Sequence, residues 1–129
     1  MNVALIAHDN KKTLMENLCI AYKGILKNHN LHATGTTGRL IESVTGLSVH
    51  KYLAGHLGGE QQIGAQIANN TLDVVILLQD SSKQHGSDLS SIIRLCDMHN
   101  IPVATNLSTA EILLFALDRG DLDWRNNMR

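Results

Sequence analysis

The sequence predicts an α/β protein, a three-layer α/β/α sandwich on a five-stranded, mostly parallel sheet, and three observations carry this. Five short runs of apolar, β-branched or small residues, at 3–7, 31–33, 47–52, 74–78 and 103–104, alternate with stretches whose apolar residues recur every three or four positions. Strands joined through helices run parallel, and right-handed crossovers lay the helices on both faces. The fourth run, VVILL, is apolar without alternation, as a strand covered on both faces requires. The composition, 43% hydrophobic and 18% charged in 129 residues with a single proline, suits one folded domain over residues 1–129 with enough chain for a core.

Taken in order, the first strand ends in the polar pair His8 and Asp9. Leu14, Leu18, Ala21, Tyr22 and Ile25 then form a one-face stripe, and Asp9 or Asn10 is the expected cap of that helix. The second strand leads into ATGTTG, with a helix expected to begin near Gly38. The third leads into GHLGGEQQ and a short helix bearing Ile63 and Ile67. The fourth leads through a polar loop into a helix with Ile92, Leu95 and Cys96. After the fifth, Ser108 and Thr109 offer a cap for a last helix carrying Ile112, Leu113, Ala116 and Leu117. The polar tail DLDWRNNMR belongs on the surface, with Trp124 as an anchor against the body or a neighbouring subunit.

Several function classes are excluded at this level. The net charge is −1 and no basic run exceeds Lys11-Lys12, which argues against a nucleic-acid partner. The opening MNVALIAHDN reaches polar residues too soon for a signal peptide or a membrane span, so a cytoplasmic protein without a membrane partner is expected. Cys19 and Cys96 fall in helical stretches without CxxC spacing and read as buried thiols.

In an open parallel sheet ligands bind at the carboxyl ends of the strands, and here every strand end is polar. His8, Asp9 and Lys12 follow the first, Thr34, Gly35, Thr36, Thr37 and Gly38 the second, Gly55 and the GGEQQ run the third, Asp80 with His85 and Asp88 the fourth, Asn106 the fifth. The TGTTG turn reads in two ways, as a Thr-capped turn or as an oxyanion cradle of backbone N–H groups and hydroxyls to which Lys12 adds a point charge. Glu60 is either a helix-start carboxylate favoured by the macrodipole or a base suited to proton abstraction beside a carbonyl. His8, His85, Asp9, Asp80 and Asp88 include ordinary metal ligands, but they read better as acid–base and orienting groups, and no metal is assigned. His29, His32, His50 and His99 read as structural, while His56 lies in the crevice loop.

These stretches resemble the methylglyoxal synthase family over nearly the whole chain, through ALIAHD (4–9), Lys12, ATGTTG (33–38), GGxQQxGA (58–65), Asp80, HxxD (85–88) and IPVATN (101–106). The resemblance implies a Rossmann-type sandwich that converts dihydroxyacetone phosphate into methylglyoxal and inorganic phosphate. It implies no metal or organic cofactor, a homohexamer, and allosteric restraint by phosphate. Carried over by position, Lys12, Thr34, Gly35, Thr36, Thr37 and Gly55 hold the phosphate, and His8 and His85 contact the triose oxygens. Asp9, Asp80 and Asp88 orient the catalytic groups, and the base is Glu60. This chain departs from the family pattern at four places: Glu60 stands where the family has aspartate, Ala54 where it has serine, His56 where it has proline, and the loop after Asp80 is about two residues shorter. The alternative reading is a phosphate-binding sensor with weakened catalysis.

Overall fold

The computed structural model describes residues 1–80, 82 and 89–128. Five parallel strands, β1 (Asn2–Ala7), β2 (Asn30–Ala33), β3 (Val49–Lys51), β4 (Val74–Leu78) and β5 (Val103–Ala104), form one sheet in the order β3-β2-β1-β4-β5. The order reverses at β1, whose Leu5 sits between Ala33 and Ile76. Each crossover carries helix: α1 (Lys12–Ala21) and α2 (Lys23–Leu26), α3 (Gly35–Thr45), α4 (Gly59–Ala68) and α5 (Ser90–Met98), with α6 (Leu107–Arg119) after β5.

Strand alternation sorts the core into two layers. Val3, Leu5 and Ala7 turn toward Met15, Leu18 and Cys19 of α1, Ile41 of α3 and Leu114 and Leu117 of α6. Ala4 and Ile6 turn the other way, toward Ile63 and Ile67 of α4 and Ile92 and Cys96 of α5. β4 is buried from end to end, as its unbroken apolar run requires. Each fully buried Leu or Ile side chain contributes about 1.5–3 kcal/mol, so the two layers hold the strands in register. β2 and β3 give no buried residue to the second layer, and on that side they show Asn30, His32 and His50 instead.

The expected architecture is thus the observed one, with local corrections. Neither Asp9 nor Asn10 caps α1: residues Asp9–Lys11 form a 3₁₀ turn, and α1 starts at Lys12. The expected long stripe breaks at Tyr22, whose hydroxyl bonds the Glu111 carboxylate and whose ring meets Phe115 edge-on at 5.6 Å, so α6 fixes that residue. Ala21 is consequently exposed, and Met15 and Cys19 take its place in the core. The third strand is shorter than 47–52. The helix after β2 begins at Gly35 rather than near Gly38, closed by Gly38 N–H donating to Thr34 O at 2.8 Å. The cap of α6 is Asn106, whose side chain accepts from Thr109 N–H at 3.0 Å, so neither Ser108 nor Thr109 serves. Ile112 is 66% exposed, and Ala110, Leu114 and Leu117 form the buried face.

Both cysteines are buried free thiols, and burial pushes Cys19 up to about 12 and Cys96 up to about 11. Trp124 stays half-exposed over the Arg125 guanidinium; the buried anchor of the tail is Arg125 itself. No helix among the described residues is long and apolar enough to cross a membrane.

Candidate active site

The carboxyl ends of β1, β2 and β3 open into a crevice of about 300 Å³. His8, Asp9, Lys12, Thr34, Thr36, Gly55 and Glu60 line it, together with Ala54 and His56. This is where the strand order reverses, the place at which helix starts and strand ends leave a gap in any doubly wound sheet.

One wall suits an anion. Thr34 ends β2 in extended backbone, and α3 turns into helix at once, so the amides of Thr36 and Thr37 lie in a first turn that has no preceding helical carbonyl. Lys12 Nζ donates to Ala7 O at 2.9 Å and to Thr37 Oγ1 at 3.0 Å, with Asp9 Oδ1 at 3.7 Å. Its side chain is only 17% exposed, so the charge is held at the crevice rather than left swinging in solvent. Thr37 is buried and works from behind, fixing the lysine, while Thr36 is exposed at the mouth. Gly35 lies against β3: a Cβ there would stand 3.0 Å from Tyr52 O, and its N–H donates to Leu53 O at 3.2 Å.

The opposite wall is a glycine turn. Gly58 has φ +109°, which favours glycine, and a Cβ on Gly59 would come to 1.9 Å from Leu53 O, which no side chain tolerates. The segment is tied at both ends, by Gly59 N–H to Ala54 O at 3.1 Å and by Leu53 N–H to Gln62 Oε1 at 2.8 Å. Glu60, the second residue of α4, thereby faces the crevice, with Oε1 3.0 Å from where a Cβ on Gly55 would sit. The bare backbone of Gly55 thus makes room for the carboxylate.

His8 is oriented by Asp80. Its Nδ1 accepts the Asp80 backbone N–H at 2.8 Å, which leaves the ring proton on Nε2. The Asp80 carboxylate accepts from Asn10 Nδ2 at 2.8 Å and from the Ser82 N–H and hydroxyl at 3.0 and 2.6 Å. Asp80 therefore supports the crevice without lining it, and the Asp9 carboxylate, 92% exposed, stands at the rim. Asn106, expected among the crevice residues, is occupied in capping α6. His85 and Asp88 lie outside the described residues.

Sequence reasoning named Asn10 only as a cap candidate and Gln62 only within the GGxQQxGA stretch, and gave neither a role at the site. The contacts across 70 and nine residues supply those roles. Among the described residues no group of three or more His, Cys, Asp or Glu is placed to hold a metal ion. The chemistry available is a fixed cation and helix-start amides for an oxyanion, faced by a carboxylate and an oriented imidazole.

The chain is similar to known proteins over most of its length. Residues 15–105 match the MGS-like domain family. The methylglyoxal synthase of Caldicellulosiruptor saccharolyticus is 61% identical over 97% of this chain and 90% of its own length. That of Alkaliphilus metalliredigens is 60% identical over 100% of this chain and 98% of its own. The crystal structure of methylglyoxal synthase from Elizabethkingia anophelis superposes with a TM-score of 0.83 at 43% identity, covering 88% of this chain and 76% of that one.

Proposed function

Because the chain belongs to the methylglyoxal synthase family, we propose that it is a carbon–oxygen lyase converting dihydroxyacetone phosphate into methylglyoxal and inorganic phosphate. The observation that carries this is Lys12, braced by Ala7 O and Thr37 Oγ1 on one side of a crevice whose other side presents Glu60. Lys12, Thr34, Thr36, Thr37 and Gly55 hold the phosphate, by charge, hydroxyl and backbone N–H, whereas the Gly35 N–H is taken by Leu53 O and Gly35 serves by letting α3 start hard against the segment after β3. Glu60 takes the C3 proton, the C–H pair becomes a C2=C3 double bond and the carbonyl π pair moves onto the oxygen, giving an enediolate. The Nε2–H of His8 donates to the developing oxyanion, a role it shares with His85. Collapse of the enediolate breaks the C–O bond to phosphate, and the released enol tautomerises to methylglyoxal. Asp9, Asp80 and Asp88 orient these groups. The same reading makes the protein a cytoplasmic homohexamer restrained by phosphate.

Glu60 in place of aspartate is the sharpest point of the proposal. A glutamate reaches one methylene further, and the open space over Gly55 is where the longer arm fits. The test is to measure methylglyoxal and phosphate formed from dihydroxyacetone phosphate. Glu60→Gln is expected to lower kcat on the order of a hundredfold or more. Retained activity in that variant sinks the assignment of the base. Tight phosphate binding without turnover, unrestored by Glu60→Asp, assigns the chain to the sensor class instead.

A further inference from the structure

Two of the segments that carry polar groups run side by side where the sheet ends. β1 and β4 are paired as far as Ala7 and Leu78, and one more ladder bond follows, from His8 N–H to Leu78 O at 3.0 Å. Past it the Asp80 backbone N–H leaves the ladder and turns onto His8 Nδ1 at 2.8 Å. A backbone N–H can only donate, so this bond requires a lone pair on Nδ1 and puts the proton of the neutral ring on Nε2. We propose that Asn10 is the positioning residue that keeps His8 in this tautomer, acting through the Asp80 carboxylate.

The two oxygens of that carboxylate are held from different sides. Oδ1 accepts the Ser82 N–H at 3.0 Å and the Ser82 hydroxyl at 2.6 Å. Such bonds between near neighbours shape the turn after β4 without fixing where it lies relative to β1. Oδ2 accepts from Asn10 Nδ2 at 2.8 Å, across 70 residues of sequence. Facing a carboxylate, the Asn10 side chain must present its NH2 group. This bond ties the turn to the chain that follows His8.

Asn10 is held close to the ring it governs. His8 has extended backbone, φ −62° and ψ 159°, and Asp9–Lys11 then form the 3₁₀ turn closed by Lys11 N–H to His8 O at 2.9 Å. The contacts make a closed circuit, from the His8 ring through Asp80 N–H, the Asp80 carboxylate and the Asn10 amide, then along the backbone to His8 again. Opening the circuit at Asn10 leaves the turn its Ser82 bonds but lets the Asp80 N–H drift off the imidazole, and both tautomers of His8 become accessible. Lys12 is braced by Ala7 O and Thr37 Oγ1, outside the circuit. Loss of Asn10 therefore disturbs the imidazole and spares the phosphate wall.

The test reads the tautomer directly. Long-range proton–nitrogen NMR of the full, isotope-labelled chain, at about pH 8 where an ordinary imidazole is neutral, separates the two ring nitrogens. The signals missing from His8→Gln belong to His8. A single Nε2–H tautomer is expected in the unaltered chain and a mixture of both in Asn10→Leu. The double variant Asn10→Asp/Asp80→Asn reverses donor and acceptor while keeping an oxygen at residue 80 for Ser82, and it should restore the single tautomer. Asn10 is exposed, so the thermal midpoint of Asn10→Leu should stay near that of the unaltered chain. The kinetic consequence rests on the lyase reading above. Asn10→Leu is expected to lower kcat roughly tenfold, less than the hundredfold or so lost when an oxyanion donor is deleted outright, with KM changed by less than about twofold. A single Nε2–H tautomer in Asn10→Leu overturns the proposal, as does a mixture in the unaltered chain, a reversed pair that stays mixed, or a loss that falls on KM with kcat kept. A chain inert toward dihydroxyacetone phosphate whose His8 tautomer still depends on Asn10 refutes the lyase reading and supports the positioning role.

Discussion

Glu60 and Gly55 share one small volume, and the chemistry proposed for the crevice turns on how it is divided. A methyl group at residue 55 would lie 3.0 Å from Glu60 Oε1, tighter than ordinary contact, so Gly55→Ala must push the carboxylate aside. The carboxylate must give by a few tenths of an ångström, a fraction of the ~1 Å misplacement that costs on the order of a hundredfold when a base must meet a particular hydrogen. Steady-state assay of Gly55→Ala is therefore expected to show a loss of several-fold, on the order of threefold to tenfold, mainly in kcat. The double variant Gly55→Ala/Glu60→Asp, with its shorter arm, should regain part of it. A double variant no better than Gly55→Ala alone would remove the steric account. At this scale the sequence was informative about identity and silent about partners. Lys12, Thr34, Gly55 and Glu60 were all legible as strand-end residues, and all line the crevice. That Thr37 braces Lys12 from behind, or that Asp80 acts on His8 through its backbone N–H, depends on side-chain directions that no spacing encodes.

Between β3 and α4 the chain has no regular ladder to hold it, so a few bonds decide its shape. Gln62 reaches back one turn to accept from Leu53 N–H, and Gly59 N–H closes onto Ala54 O. This segment carries Gly55 and delivers Glu60, which makes Gln62 a positioning residue. Gln62→Met deletes the acceptor and is expected to raise KM and lower kcat by roughly tenfold in kcat/KM, about 1.4 kcal/mol of lost positioning. Because the bond is exposed, thermal stability should move little, and Gln62→Glu, which keeps an acceptor oxygen, should recover most of the activity. The alternation of strand and helix was plain in sequence because each element follows its own period. The starts of α3 and α6 were not. Gly-Thr-Thr-Gly is a poor helix former, and α3 begins at Gly35 because Leu53 O and Lys12 hold its first turn in place. Likewise Ser108 and Thr109 were the expected caps of α6, and it is the extended backbone at Asn106 that makes this residue the cap instead.

Two ionic features act on the molecule as a whole. Burial lowers the pKa of His29 and of His32 from the ordinary 6.5, so the unfolded chain binds protons that the folded chain resists. Stability from this source is complete above pH 6.5 and declines as the pH falls through that value toward the lower folded ones. Urea midpoints between pH 7.5 and 5 should therefore decrease, and less so in a His29→Asn/His32→Asn double variant. The second feature closes the fold. Arg125 is 2% exposed and donates through Nε to Asp73 Oδ1 at 3.2 Å, through Nη1 to Asn100 O at 2.8 Å and through Nη2 to Asn70 Oδ1 at 2.8 Å. Asp73, fully buried, also accepts the Asn2 N–H at 2.8 Å, so one guanidinium joins the tail to the start of β1 and to the turns before β4 and β5. None of this was readable in the sequence, because the partners lie 25 to 55 residues away and a tail arginine ordinarily points into water. Removing the guanidinium leaves the Asp73 charge buried without its cation, a change that costs about 3–5 kcal/mol. Arg125→Met should lower the urea midpoint accordingly with an unchanged slope. Arg125→Lys should recover little, since a point charge cannot meet three acceptors set in a fork. In the double variant Arg125→Met/Asp73→Asn the loss should fall short of the sum of the two single losses, because the orphaned charge is gone. Additive losses would mean that the two side chains stabilise the fold separately and that the clamp is not the unit that holds the tail.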